Sequence, residues 1–280
     1  RIASGDGAVG VRGRDFEVLF STTEGGPVSL VSQGRQWLWR APRPAYWRAP
    51  TENDLGNGFA AGSPIWSAAD AWQRCTDVQI LENTQELFSI RYTYGSPAIP
   101  GLETDVTYTV NDRGVLWVDV NYWAQKGRPQ LPLFGLRFAT PEPVEAVRWL
   151  GLSGETYPDR KRGGVFGWHQ EAPHVPAYLV PQECGCHVDT RAVSLRLAGG
   201  GTLALEMEDE PFAFSAIPCT PWQLEQAAHR EELPRPVRTV VTVCGAMRGV
   251  GGIDSWGSDV EAPYRISGER DLELHFRFRL

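Results

Sequence analysis

The sequence predicts an all-β fold, a large antiparallel sandwich with few short helices. Three observations lead there. Apolar and polar residues alternate with a period of two in run after run. Turn-forming residues punctuate the chain at intervals of about ten residues, the spacing of short antiparallel strands. Helix start signals occur at only two places.

The first alternating run is 15–20 (DFEVLF), ended by the turn 23–26 (TEGG). Segments 28–31 and 36–39 read as the next strands, with Gln33-Gly34 turning between them. Segments 87–94 (LFSIRYTY) and 103–110 (ETDVTYTV) alternate strongly. The latter turns through 111–114 (NDRG) into 115–122 (VLWVDVNY), the clearest hairpin of the chain. Segments 133–139, 144–150, 193–197, 202–206, 238–245 and 272–280 continue the pattern. A helix is expected over 63–73, with Ser63 as cap and Pro64 at the first helical position. A second is expected over 220–229, capped by Thr220, started by Pro221, and with Gln223 in the capping-box position. No repeat, low-complexity tract or linker interrupts the chain, so residues 1–280 are expected to form one domain.

Composition narrows the function. Hydrophobic residues make up 42% of the chain, enough for a sizeable core. The net charge of −7, with no basic cluster beyond Arg160-Lys161-Arg162, argues against nucleic-acid binding. No apolar run approaches the ~18 residues of a membrane span, and nothing resembles a signal peptide. The first residue is Arg1 rather than Met, as expected of a piece of something longer. Cys75, Cys184, Cys186, Cys219 and Cys244 are too few and scattered for a disulfide framework; reduced thiols and a cytoplasmic setting are expected. Cys184-x-Cys186 lacks the partner pair of a zinc site. Tryptophan is abundant, at eleven residues. Its flat face suits sugar C–H groups, though it is equally a large core residue.

Three stretches are polar, aromatic and glycine-rich together: 46–58 (YWRAPTENDLGNG), 149–164 (WLGLSGETYPDRKRGG) and 247–257 (MRGVGGIDSWG). Each reads as a loop, and such loops are where sites form. Gly249-Val-Gly-Gly252 lacks the spacing and the following helix of a nucleotide loop. Paired carboxylates would suggest glycoside hydrolysis, and the candidates are Glu52 with Asp54, Glu155 with Asp159, and Asp254. Asp54 and Asp159 sit among turn residues and arginines. A carboxylate paired with arginine has a lowered pKa, the opposite of what a general acid needs, so the structural reading prevails. His169, His174, His187, His229 and His275 show no metal-ligand spacing. His229 reads as a favourable charge near a helix C-terminus.

Taken in order and at their separations, three motifs carry a resemblance: 47–54 (WRAPTEND), 154–160 (GETYPDR) and 249–256 (GVGGIDSW). Together they resemble the C-terminal region of LacZ-type β-galactosidases, glycoside hydrolase family 2, which in some bacteria is a separate small chain. Residues 221–233 fit the same family, and the resemblance covers essentially the whole chain. It implies a supersandwich akin to galactose mutarotase. It implies that the two catalytic glutamates, and most ligands of the magnesium and sodium ions, lie on a TIM barrel elsewhere. No catalytic residue, metal ligand or cofactor is then expected on this chain. Its partners would be a β-galactoside and the barrel part of the enzyme, the whole assembling as a homo-oligomer.

The resemblance carries two positions over. Trp256 matches a tryptophan that forms a platform at the sugar site; its flanking Gly and Ser favour an exposed loop over core packing. Gly56 matches the start of a mobile loop, although by itself it reads as a plain turn glycine. Residues 46–54 would then be a rigid corner launching a flexible loop. The chain departs from the family pattern at Glu52 and Ile253, where aspartates are usual. Ile253 removes a carboxylate beside the platform. Two other functions fit the sequence: a free-standing carbohydrate-binding module, and, by fold analogy alone, an aldose epimerase.

Overall fold

The computed structural model describes residues 1–280. In chain order the strands are β1 (Ile2–Ser4), β2 (Ala8–Arg12), β3 (Phe16–Ser21), β4 (Pro27–Ser32), β5 (Arg35–Gln36) and β6 (Arg43–Ala45). Three short helices follow, α1 (Glu52–Gly56), α2 (Phe59–Gly62) and α3 (Pro64–Ala71). Then come β7 (Arg74–Asn83), β8 (Leu87–Ser96), β9 (Ile99–Asn111), β10 (Val115–Trp123), β11 (Leu133–Ala139), β12 (Val144–Leu152) and β13 (Phe166–Glu171). The rest is β14 (Cys186–Thr190), β15 (Ala192–Leu197), β16 (Thr202–Met207), β17 (Phe212–Ile217), helix α4 (Pro221–Gln226), β18 (Val240–Met247) and β19 (Leu272–Arg279).

All strand pairs are antiparallel, in three sheets. A nine-stranded sheet runs β13-β12-β15-β16-β19-β10-β9-β8-β7. A five-stranded sheet runs β14-β17-β18-β11-β6, and β1 to β5 form a third. The all-β sandwich expected from the alternation is what the chain forms. The alternating residues explain it. Phe88, Ile90, Tyr92 and Tyr94 on β8, Val106, Tyr108 and Val110 on β9, and Leu274, Phe276 and Phe278 on β19 all turn inward. They join Leu136, Phe138, Val241 and Val243 of the smaller sheet in one core cluster. Each such side chain contributes roughly 1.5–3 kcal/mol on burial, which is why the pattern fixes the register.

Several elements differ from the sequence expectation. Of the predicted strand 36–39 only Gln36 lies in a strand, β5; Trp37 and Leu38 leave the sheet edge to enter the core. Residues 149–152 form the end of β12 rather than a loop, and Trp149 is buried with its ring 4.2 Å from that of His187. Ser63 precedes α3 without capping it; its hydroxyl donates to the Phe59 carbonyl at 2.8 Å. Helix α4 has the expected capping box, in which Thr220 Oγ1 accepts from Gln223 N–H. It ends at Gln226, however, so His229 lies beyond it and pairs with Glu232 at 3.0 Å. No helix is long and apolar enough to cross a membrane.

Candidate functional site

The three glycine-rich stretches converge. The second half of 46–58 is not an irregular loop: residues 52–56 are helix α1. Its start is a capping box. Thr51 Oγ1 accepts from the Asp54 N–H at 3.1 Å, and Asp54 Oδ2 accepts from the Thr51 N–H at 2.9 Å. The same Asp54 forms an ion pair with Arg48 at 3.0 Å, and both side chains are almost fully buried. Arg48 also donates to the Gly249 carbonyl at 3.1 Å, tying the first stretch to the third. Burial works against the Arg48 charge, but Asp54, with Glu183 behind it, more than offsets this and holds the guanidinium pKa above its ordinary value.

The second stretch locks onto the third through Asp159. Its carboxylate accepts from the N–H groups of Val250 and Gly251 at 3.0 and 2.8 Å, and Arg160 donates to the Gly251 carbonyl. The approach explains Gly249, because a Cβ there would stand 2.7 Å from the Asp159 carboxyl carbon. Asn53 donates to the Val250 carbonyl at 2.8 Å, adding α1 to the junction. Farther along, Arg248 is fully buried. It pairs with Asp259, donates to Gln130 at 2.6 Å, and lies over the Phe59 ring at 3.8 Å.

From this fixed base a short loop projects. Asp254 organises it by accepting from the Trp256 N–H at 2.9 Å, the Ser258 N–H at 3.2 Å and the Ser258 hydroxyl at 2.6 Å. These bonds, the hydroxyl's first, hold the Asp254 carboxyl below the usual range. At its tip Trp256 is 93% exposed. The adjoining Gly257 has φ +80° and presses on helix α1: a Cβ there would stand 3.0 Å from the Gly56 carbonyl oxygen. The two residues singled out from the sequence, Gly56 and Trp256, therefore belong to segments in backbone contact. Gly56 itself is the last residue of α1 rather than a turn glycine. Ile253, three residues before Trp256, is half-exposed.

Of the carboxylates weighed as acid and base, Asp54, Glu155, Asp159 and Asp254 are engaged elsewhere. Glu155 accepts from Tyr178 Oη at 2.7 Å and the Gly185 N–H at 2.6 Å, while Asp54 and Asp159 hold the corner together. The side chains do not fit a metal cage, since no group of three or more His, Cys, Asp or Glu residues converges. Sequence reasoning missed Glu183, buried beside Arg48 with its carboxylate 3.5 Å from Tyr157 Oη. Burial pushes its pKa up to about 7, against the pull of Arg48 and Arg137. It also missed Asp70, which accepts from the N–H groups of Tyr46 and Trp47 and pairs with Arg137. No local signal marks either one, since their partners are far away in sequence. Helix α1 did have a signal, the Thr51-x-x-Asp54 capping pattern.

Comparison with known proteins decides the family. The model described as "Beta galactosidase small chain" matches residues 12–280. The chain belongs to the β-galactosidase small-chain family. A β-galactosidase small subunit from Latilactobacillus sakei is 42% identical, over 99% of this chain and 96% of its own length. A β-galactosidase from Halalkalibacterium halodurans is 36% identical over 99% of this chain, which spans only 28% of that longer protein. Among solved structures, a putative aldose 1-epimerase from Escherichia coli K12 superposes with a TM-score of 0.52 at 9% identity, covering 96% of this chain and 97% of that one. That likeness concerns the fold alone. Small-chain naming implies a larger component to which such a chain belongs.

Proposed function

We propose that this small chain completes the sugar pocket of a β-galactosidase from its Trp256 corner, and that the larger component performs the hydrolysis. The observation that carries the proposal is an indole 93% exposed on a loop whose base is fixed by the ion pairs of two buried arginines, Arg48 and Arg248. A large apolar face held in solvent on a rigid mount costs free energy unless a ligand or partner covers it. Sugar C–H faces are suited to such a plate, and the family supplies the substrate class, terminal β-D-galactosides. In this reading the enzyme is of glycoside hydrolase family 2 and of the retaining type. Its two glutamates and its ions lie on the barrel of the larger component, and the assembly is homo-oligomeric and cytoplasmic. The segment after Gly56 acts as the movable edge of the pocket, launched from the fixed corner that Arg48 and Asp54 hold.

Mixing tests the proposal. The purified chain alone should turn over no nitrophenyl β-galactoside, and adding the larger component should restore activity. Trp256→Ala should lower kcat/KM of the mixture by about 10- to 100-fold, equivalent to roughly 1.4–2.8 kcal/mol of lost stacking. Unaided hydrolysis by the chain, or a Trp256→Ala mixture of full activity, would sink the proposal. Millimolar or tighter lactose binding by the isolated chain would favour a carbohydrate-binding module instead.

A further inference from the structure

A second concavity lies away from the Trp256 corner. Its volume is about 720 Å³, and it is walled by β6, the C-terminal end of β11, the first residue of β18, helix α4 and the segment 234–238. Residues Phe138 and Ala139 of β11 and Val240 of β18 line it, whereas the Trp256 loop follows Met247 at the other end of β18. Eight residues of extended strand separate the two, on the order of 20 Å.

The lining is unusual for a chain of net charge −7. Five arginines face the cleft against two carboxylates, Glu24 and Asp70. Asp70 is already committed, to Arg137 at 3.0 Å and to the N–H groups of Tyr46 and Trp47. Arg40, Arg43, Arg235 and Arg238 form no ion pair. Two of them are held in place nonetheless. The Arg238 guanidinium lies flat over the Trp39 ring at 3.9 Å, and Arg43 donates to the Glu24 carbonyl at 2.6 Å while lying over Tyr94. Each keeps a buried N–H without an acceptor, Nε of Arg238 and Nη1 of Arg43. Gln73, on the same wall, has an unpaired buried oxygen.

An unpaired guanidinium N–H out of water costs free energy, and four uncompensated charges repel one another. An anion that presents two oxygens to a guanidinium offsets the repulsion among these charges, because carboxylate and phosphate match the guanidinium fork. The volume lies within the range of small-molecule sites, well beyond what a bare anion fills. We propose that this cleft is a binding site for a small organic anion, a carboxylate or phosphate on a body about the size of one sugar ring. Arg43 and Arg238 are its anion ligands, and Arg40 and Arg235 supply the surrounding field. This proposal does not rest on the function proposed above.

Calorimetric titration of the 280-residue chain at low salt tests this with four probes: galactose 6-phosphate, galacturonate, galactose and inorganic phosphate. At least one of the two sugar anions should bind tenfold or more tighter than galactose, and more tightly than inorganic phosphate; which one does so identifies the anionic group. Binding should weaken as salt rises. It should fall at least tenfold in Arg43→Gln with Arg238→Gln, and should survive Trp256→Ala unchanged. If the double variant proves unfolded in a thermal melt, the exposed Arg40→Gln with Arg235→Gln replaces it, with a smaller loss expected. Equal binding of galactose and its anionic derivatives, binding of none of the probes, or a folded variant that binds like the parent overturns the proposal. Inorganic phosphate binding as tightly as either sugar anion overturns the claim of an organic ligand.

Discussion

Strands β11 and β18 run side by side through the smaller sheet, and their two ends differ sharply. At the Leu133–Met247 end, nearly every charge has a partner: Arg48 has Asp54, Arg248 has Asp259, and Asp159 has two backbone N–H groups. The most exposed large side chain there is an indole. At the Ala139–Val240 end, four arginines surround a cleft without a carboxylate partner. The first end is closed chemically and offers shape. The second is open chemically and offers charge. A buried ion pair fixes a backbone because removing one partner strands the other, whereas an unpaired guanidinium keeps its hydrogen-bonding capacity for a ligand.

The contrast can be broken most severely at Asp54. Asp54→Ala leaves the Arg48 guanidinium buried and alone and removes the α1 capping box. A loss of about 3–5 kcal/mol in urea denaturation is expected. A cost below ~1 kcal/mol would mean that the pair is not the anchor described. Next is Glu183. Its folded pKa of about 7 lies above the ordinary carboxylate value. The folded state therefore keeps its proton to a higher pH than the unfolded state does. This stabilisation is complete below about pH 4.5 and is lost as pH rises through about 7, amounting to at most roughly 3 kcal/mol. Against Glu183→Gln, the parent should lose ground between about pH 4.5 and 7. Parallel melting-temperature curves for the two proteins would refute the shift.

A smaller effect is expected from Gly249→Ala, which forces a methyl group against the Asp159 carboxylate. About 1–3 kcal/mol should be lost, most of it recovered in combination with Asp159→Ala if the clash is the cause. The smallest belongs to Trp256→Ala, whose effect on the stability of the isolated chain should stay within about 0.5 kcal/mol. A larger change in denaturation midpoint would show that the indole packs against its own chain.

Much of this architecture was legible in advance, because it rests on local physics. Strands β8, β9, β10 and β19 were visible because burial alternates along most of their length, and β11 because of its run of large apolar residues. Strand β7 was not, because its outer-edge residues are mostly exposed and carry little pattern. Strands β14 and β17 were hidden for the opposite reason: nearly all their residues are buried, so no alternation survives. At the candidate site, the three motifs and Trp256 could be read as segments, but their contacts could not. Asp159 meets Val250 and Arg48 meets Gly249 only because the sheets bring distant ends together. Glu183, Asp70 and the arginines of the cleft have no sequence neighbours that reveal their roles.

The exposure of Trp256 also has a spectroscopic consequence. An indole standing almost wholly in water emits toward the red and is quenched readily by small solutes, while the deeply buried Trp37, Trp66 and Trp149 are shielded from both effects. A surface that closed over the loop would shift the emission to the blue and protect it from the quencher, in proportion to occupancy. Trp39, Trp72, Trp123 and Trp168 are exposed as well, so the reporter of docking is the part of the emission that Trp256→Phe removes, a variant that keeps an aromatic face.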